Sequence, residues 1–302
     1  MILTVTLNPA VDHTLTVGDL PDSGEVTRTD AASIDPGGKG INVSKYLVEL
    51  GTETVATGVV GDFLGWFVRD SLTDEGIAGD FVEIEGRTRL NTTILTDDAE
   101  YKINHTGPAV GGGAIDDLLD TIERNDPEIV VVGGSLPPDL DSDVIDRIAQ
   151  AGGWQTVVDV GGDVLHELDA SYALCKPNRE ELAAATGCPV GSIADCCNAA
   201  ERLRGEGYDR VVASLGADGA VMATSDSLFH ATSLATDVVD TVGAGDSLLA
   251  GVLSAFDRGA TDEEALRSGV AVASCVVSIS GTDVSPLDEI ADLTNRVLVS
   301  TQ

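Results

Sequence analysis

Asp240-Thr241-Val242-Gly243-Ala244-Gly245-Asp246, running directly into Ser247-Leu248-Leu249-Ala250-Gly251-Val252-Leu253, is the stretch that decides the fold. Two glycines let the backbone turn sharply with its N–H groups uncovered, and the apolar residues after Asp246 recur at helical spacing. The pattern is a turn feeding a helix N-terminus, whose unpaired amides and partial positive charge hold phosphate without a basic side chain. Asp246 falls in the first helical turn, where its carboxylate can point at whatever the loop holds. An anion cradle made by Gly243, Ala244 and Gly245 beside a general base is equipment for phosphoryl transfer to a hydroxyl. The same residues also suit a tight turn with Asp246 as a plain helix cap, so the choice depends on whether other segments ask for the same ligand.

Apolar strands alternate with amphipathic stretches through residues 55–60, 63–74, 114–124, 129–132, 143–151 and 156–160, then 172–175, 179–186, 194–204, 211–215 and 220–224. Such alternation predicts a parallel sheet with helices on both faces. At 302 residues, with 43% hydrophobic residues and 34 glycines, the chain is expected to form one large α/β domain with a smaller attachment. Segments 15–17, 87–96 and 100–105 show the partial alternation of half-exposed strands, with Asp97-Asp98 as a hairpin turn. They are expected to form a small sheet projecting over the main one as a lid, inserted at about 12–33 and 85–106.

The longest uncharged stretch of interest, 268–282, is short and serine-rich, which fits a buried helix better than a membrane span. Residues 1–5 lack a basic flank and read as a first strand, giving the expectation of a cytoplasmic protein. Five scattered cysteines without paired spacing are expected to be reduced thiols. The 51 acidic residues outnumber the 17 basic ones for a net charge of −34, and four of the basic residues are lysines. That balance points to a halophilic host, where solvated carboxylates keep the protein soluble and salt screens their repulsion. It argues against nucleic acid and anionic membrane as partners. For an anionic ligand the few cations become markers: Lys39, Arg87, Arg89 and Lys102 in the N-terminal third, and Lys176 alone in the middle.

Further segments converge on that ligand. Strand 2–7 ends in Asn8-Pro9-Ala10-Val11-Asp12, a turn that places Asp12 beyond the strand's carboxyl end, where open α/β sheets bind ligands. Asp35-Pro36-Gly37-Gly38-Lys39-Gly40-Ile41-Asn42-Val43 is a second glycine loop entering a helix that runs to Gly51, with Lys39 and Asn42 adding a cation and an amide. Gly133-Gly134-Ser135-Leu136-Pro137-Pro138 leaves another strand. Lys176-Pro177-Asn178-Arg179-Glu180-Glu181 puts Asn178 and Glu181 on one face of a helix start, where they equally suit a capping box. Ser214-Leu215-Gly216-Ala217-Asp218-Gly219 ends a strand and is also readable as a hairpin turn.

Together these motifs resemble the ribokinase-like, or pfkB, family of sugar kinases over nearly the whole chain. The segments 6–12, 37–43 and 88–91 look like its phosphosugar branch, which includes 1-phosphofructokinases and tagatose-6-phosphate kinases. The resemblance implies a three-layer α/β/α fold with a mostly parallel sheet and a small β-sheet lid, forming one kinase domain over 1–302. It implies Asp246 as the base and the amides of Gly243, Ala244 and Gly245 as an anion hole. Lys176, Asn178, Ser214, Gly216, Gly219 and Gly245 would meet ATP, and Glu181 would organise Mg²⁺, largely through water.

On the sugar side, Asp12 would accept from hydroxyls, Gly37, Gly38 and Asn42 would fix the ring, and Lys39 and Arg89 would meet its phosphate. Lys102 and Asn104 are weaker candidates on the facing strand. Lids of two subunits pack together in related enzymes, so a homodimer is implied. The implied activity is ATP-dependent phosphorylation of a ketohexose phosphate, foremost fructose 1-phosphate. The alternatives are 6-phosphofructokinase, tagatose-6-phosphate kinase, a 2-keto-3-deoxygluconate kinase, or a sugar or nucleotide sensor without catalysis.

Overall fold

A computed structural model describes residues 1–236, 239, 241–278 and 290–302 of the chain. Its first half contains β1 (Ile2–Thr6), β2 (Ala10–Thr16), β3 (Ala31–Gly37), α1 (Lys39–Glu49), β4 (Thr54–Val60), α2 (Asp62–Asp74), the short strands β5 (Ala78–Gly79) and β6 (Val82–Glu83), β7 (Arg89–Leu95), β8 (Glu100–Asn104), α3 (Gly112–Asn125) and β9 (Ile129–Gly133). The second half contains α4 (Asp143–Gln150), β10 (Gln155–Asp159), α5 (Gly162–Glu167), β11 (Tyr172–Cys175), α6 (Arg179–Thr186), α7 (Ile193–Arg204), β12 (Tyr208–Ser214), β13 (Ala220–Ala223), β14 (Leu228–Ala231), α8 (Ala244–Asp257), α9 (Asp262–Val276), α10 (Ile290–Arg296) and β15 (Val299–Thr301).

The period-2 geometry of a strand sends neighbouring residues to opposite faces, and the buried residues divide accordingly. Leu3, Val5, Val130, Val132, Val158, Val211 and Ala213 pack with side chains of α3, α4, α6 and α7. Ile2, Val131, Val157, Leu174 and Val212 pack on the other face with α1, α8 and α9. The sheet between these layers runs β15-β14-β13-β12-β11-β10-β9-β1-β4-β5, with β6 also paired to β4. It is parallel from β12 through β4 and β5, and antiparallel at the β12–β13–β14–β15 end. This is the expected three-layer architecture.

A separate four-stranded sheet has the order β3-β2-β7-β8. Within it β2 pairs antiparallel with β3 and parallel with β7, and β7–β8 is the hairpin expected around Asp97-Asp98. Two readings of this region change. The segment 8–12 is not a turn ending at Asp12: the chain bends at Leu7-Asn8, and Asp12 is the third residue of β2. Residues Ala10 and Val11 find partners on both sides, in Gly37 and Pro36 of β3 and in Arg89 and Leu90 of β7, so the ladder starts as soon as Pro9, which lacks an N–H, is passed. Likewise the second glycine loop is mostly strand. Its residues through Gly37 belong to β3, and Gly38 alone, with φ 130°, turns the chain into α1.

The serine-rich stretch begins as the buried second half of α9, with Ser268, Gly269, Val270, Ala271, Val272 and Ser274 inside. Its residues 279–282 lie outside the described residues, as does Asp240 of the opening motif. Gly251 of α8 and Gly269 of α9 face each other so closely that a Cβ on Gly251 would lie 2.8 Å from the Gly269 Cα. That backbone contact fixes α8, and with it the position of Asp246. All five cysteines are free thiols. Among the described residues, no helix is long and apolar enough to cross a membrane.

Candidate active site

The candidate residues gather where β1, β10, β11 and β12 end at their carboxyl edge and where α1, α6 and α8 begin. That is the crevice in which open α/β sheets bind ligands. Gly243 caps α8 in the left-handed region, φ 77°, and Ala244, Gly245 and Asp246 form the first turn. Any side chain at Gly243 would collide with the Tyr46 hydroxyl. Asp246 is 8% exposed, and Asn42 Nδ2 donates to its Oδ2 at 2.8 Å. Burial pushes the Asp246 carboxyl up to about 6, with the charge of Asp159 adding to the rise; the Asn42 bond, Lys176 and Lys39 oppose it. An ordinary aspartate value was sufficient for the expected proton transfer, so this raised basicity is a feature the sequence did not show.

Lys39 was expected at the sugar phosphate. Its Nζ donates to Asp159 Oδ1 at 2.7 Å and lies 3.7 Å from Glu181 Oε1. The side chain of Lys176 is buried, its Nζ 3.3 Å from Asp159 Oδ2. A Cβ on Gly245 would come within 3.2 Å of that same Nζ, so the ammonium sits against the first turn of α8. Cation and helix N-terminus therefore face one volume, which is an arrangement for an anion.

Asn178 and Glu181 make the capping box: the Glu181 N–H donates to Asn178 Oδ1 at 2.9 Å, and the Asn178 N–H donates to Glu181 Oε2 at 2.8 Å. The two roles considered for this pair are compatible, since capping uses one carboxylate oxygen and leaves Oε1 turned toward Lys39. The Ser214 N–H donates to the Pro177 carbonyl at 3.0 Å, joining the end of β12 to the start of α6. Gly216, at φ 62°, opens a one-turn 3₁₀ segment between β12 and β13 and Gly219, at φ 86°, follows it, so the segment closes as the hairpin turn. Asn178, Ser214, Gly216, Gly219 and Gly245 all line one cavity of about 780 Å³, whose far wall is aliphatic, with Leu234, Leu248, Val270 and Val277. Lys176 is not among its lining residues.

The remaining candidates lie on the small sheet. Asn91 Nδ2 donates to Asp12 Oδ1 at 2.8 Å, and burial raises the Asp12 carboxyl above its ordinary value against that bond and the Arg89 charge. Gly37 packs on Asp12 with no space for a side chain. Arg89 donates through Nε to the Asn8 carbonyl at 3.1 Å and through Nη1 to the His105 carbonyl at 3.3 Å. Lys102 pairs with Glu100 at 3.1 Å on the exposed hairpin, and Asn104 is in register with Asn91. The structure thus makes two groups. Lys39, Asn42, Lys176 and the α8 turn stand around Asp246, with Glu181 against Lys39, while Asp12, Gly37 and Arg89 share the small sheet. Gly38 connects them in sequence.

Two residues at the site escaped the sequence reading. Asn8 donates its amide to the Thr106 carbonyl at 3.0 Å and ties the end of β1 to the chain returning from β8. Asp159 is fully buried between two lysines. The signal was present in Val157-Val158-Asp159, an acid closing an apolar strand, but the lysines that give it meaning lie 120 and 17 positions away.

A profile described as pfkB family carbohydrate kinase matches residues 5–289. This chain belongs to that family. As a pfkB kinase it is a phosphotransferase that acts on a sugar alcohol group. Among curated relatives, the 1-phosphofructokinase of Haloferax volcanii is 50% identical over 301 residues, covering 100% of this chain and 99% of that one. The D-tagatose-1-phosphate kinase of Bacillus licheniformis is 34% identical, covering 96% and 97%. Among solved structures, phosphofructokinase-2 from Escherichia coli in complex with potassium superposes with a TM-score of 0.91 at 28% identity, covering 98% of both chains.

Proposed function

We propose that this pfkB kinase uses ATP to phosphorylate a ketohexose phosphate, converting fructose 1-phosphate to fructose 1,6-bisphosphate. The observation that carries the reading is the placement of a buried, basic Asp246 in the first turn of α8, with two lysines beside it and a cavity of nucleotide size adjoining. Asp246 takes the proton of the sugar's primary alcohol as that oxygen bonds to the γ-phosphorus. The bond from the γ-phosphorus to the bridging oxygen breaks, and ADP leaves with that electron pair. The amides of Gly243 to Gly245 and the ammonium groups of Lys39 and Lys176 face the charge that builds on the transferring group. Asp12 and Arg89 hold the sugar hydroxyls and its existing phosphate, with Gly37, Gly38 and Asn42 closing around the ring.

Magnesium is the metal that the fold family implies. Among the described residues, no three His, Cys, Asp or Glu side chains cluster to bind a metal directly. The one carboxylate oxygen that Glu181 leaves outside its capping box fits an ion that keeps its water shell and reaches the protein through nucleotide phosphates. Bound there, it would screen charge between those phosphates.

The test is an ADP-release assay across fructose 1-phosphate, fructose 6-phosphate, tagatose 1-phosphate, tagatose 6-phosphate, 2-keto-3-deoxygluconate and free fructose. Fructose 1-phosphate should give the highest kcat/KM; no turnover with any of them would leave the sensor reading. Tagatose 1-phosphate is a second candidate, because a relative bears that activity in its name and differs in one hydroxyl configuration.

Two further expectations belong to this reading. The small sheet sorts its residues in register: Asp12, Thr14, Asn91, Thr93, Lys102 and Asn104 share one face, and His13, Leu15, Ile34, Ile94, Tyr101 and Ile103 share the other. Ile34, Tyr101 and Ile103 are exposed. The polar face would act as a lid over the sugar and the apolar face would pair with a second copy. Ile34→Glu with Ile103→Glu should then halve the sedimentation mass, and an unchanged mass would contradict the pairing.

The net charge of −34 further leads us to expect a protein adapted to high salt. Activity should rise severalfold between about 0.1 M and 2 M potassium chloride as self-repulsion is screened. Full activity in dilute buffer would remove that expectation.

A further inference from the structure

Asp159 ends β10 with its side chain fully buried, and among the described residues it is the one group that touches both lysines of the site. We propose that Asp159 is a positioning residue for phosphoryl transfer: its single carboxylate holds the Lys39 and Lys176 ammonium groups together at the junction of the nucleotide cavity and Asp246, so that both face the same phosphate. The two lysines arrive from different elements, Lys39 from α1 and Lys176 from the end of β11. Left alone, two ammonium groups brought together would repel, and each four-carbon stem would sample several rotamers. Oδ1 accepts from Lys39 at 2.7 Å, while Oδ2 faces Lys176 at 3.3 Å and has no hydrogen-bond partner among the described residues. One carboxylate thus offsets one of the two positive charges and holds both ammonium groups in one geometry. A site whose charges are oriented before the reaction has no reorganisation to make during it.

The groups around Asp246 give the proposal a second readout. Asn42 and Lys39 face it from α1, Lys176 from beyond β11 and Asp159 from β10. All but Asp159 favour its ionised form. Removing the Asp159 charge should therefore lower the proton affinity of Asp246 while it loosens the lysines, two consequences that a role confined to packing would not join.

The proposal rests on the kinase reading, and the experiment separates the two. An unmodified enzyme inactive on every sugar defeats the kinase reading; an active one whose Asp159→Asn variant matches it defeats the positioning role alone. In an active enzyme, Asp159→Asn should lower kcat tenfold or more while KM for the sugar phosphate moves less than threefold. The acid limb of the kcat/KM profile should move to lower pH. Added to a variant that carries both Lys39→Met and Lys176→Met, Asp159→Asn should change kcat less than threefold, because both lysines it positions are gone. Losses that multiply, or an unmoved acid limb, would overturn it.

The unmodified protein offers a check that does not depend on a variant folding. Competitive labelling with acetic anhydride should acylate Lys102 at least tenfold faster than Lys39, although 32% of the Lys39 side chain is exposed against 51% for Lys102. Equal rates would mean that Asp159 does not hold the Lys39 ammonium.

Discussion

Asp246→Asn is expected to lower kcat by roughly three powers of ten while leaving KM for ATP and for the sugar phosphate within about threefold. The size follows from the position. Asn42 Nδ2 already holds one carboxylate oxygen at 2.8 Å, so the side chain is aimed before substrate arrives. An asparagine fits the same volume but has no lone pair basic enough to take the alcohol proton. The helix N-terminus and the two lysines remain, so binding persists without the base. Steady-state kinetics at saturating ATP are the measurement, and turnover within tenfold of the unmodified enzyme would move the base elsewhere.

The pH profile checks the same assignment. Burial brings the Asp246 carboxyl up to about 6, and the base works only when ionised. Activity should therefore be complete above about pH 7 and fall with unit slope as pH drops below about 6. An acid limb near the ordinary aspartate value would mean that the buried carboxylate is not the one that limits turnover. The limb should also vanish from the residual activity of Asp246→Asn.

Local chemistry was legible in the sequence wherever a motif contains its own partners. The Gly243-Ala244-Gly245-Asp246 turn, the Asn178–Glu181 box and the Ser214–Gly219 hairpin each close within a few residues, and each folds as read. The apolar runs of β1, β9, β10 and β12 were legible for the same reason, since strands of a parallel sheet are buried on both faces. What escaped depends on distant contacts. β3 has a mostly exposed sequence, AASIDPG, and is a strand because β2 pairs with it rather than because of its own pattern. Lys39 meets Asp159, a partner 120 residues away that its own motif does not contain. No spacing rule connects residues 39, 159 and 176; only the adjacency of β10 to β11, with α1 above, does so.

Arg89→Ala is expected to raise KM for the sugar phosphate about 30-fold while KM for ATP stays within twofold, as loss of a charge-assisted contact of about 2 kcal/mol requires. Arg89 is the first residue of β7 and is in register with Ala10. Its Nε and Nη1 are fixed by the carbonyls of Asn8 and His105 at 3.1 and 3.3 Å. Backbone acceptors orient the fork without neutralising it; Asp12 shares part of its charge, and burial, which holds the guanidinium below its ordinary value, makes a dianion a better partner still. The same two bonds tie the base of the β7–β8 hairpin, so a purely structural role must be told apart. A loosened hairpin would lower the melting temperature and raise both KM values. Loss of a phosphate contact raises one, and leaves any turnover of free fructose unchanged because that sugar has no phosphate to lose. Arg89→Lys should recover only part of the affinity, since an ammonium keeps the charge but cannot span two carbonyls and a phosphate at once. Equal effects on both substrates would place the sugar phosphate away from Arg89.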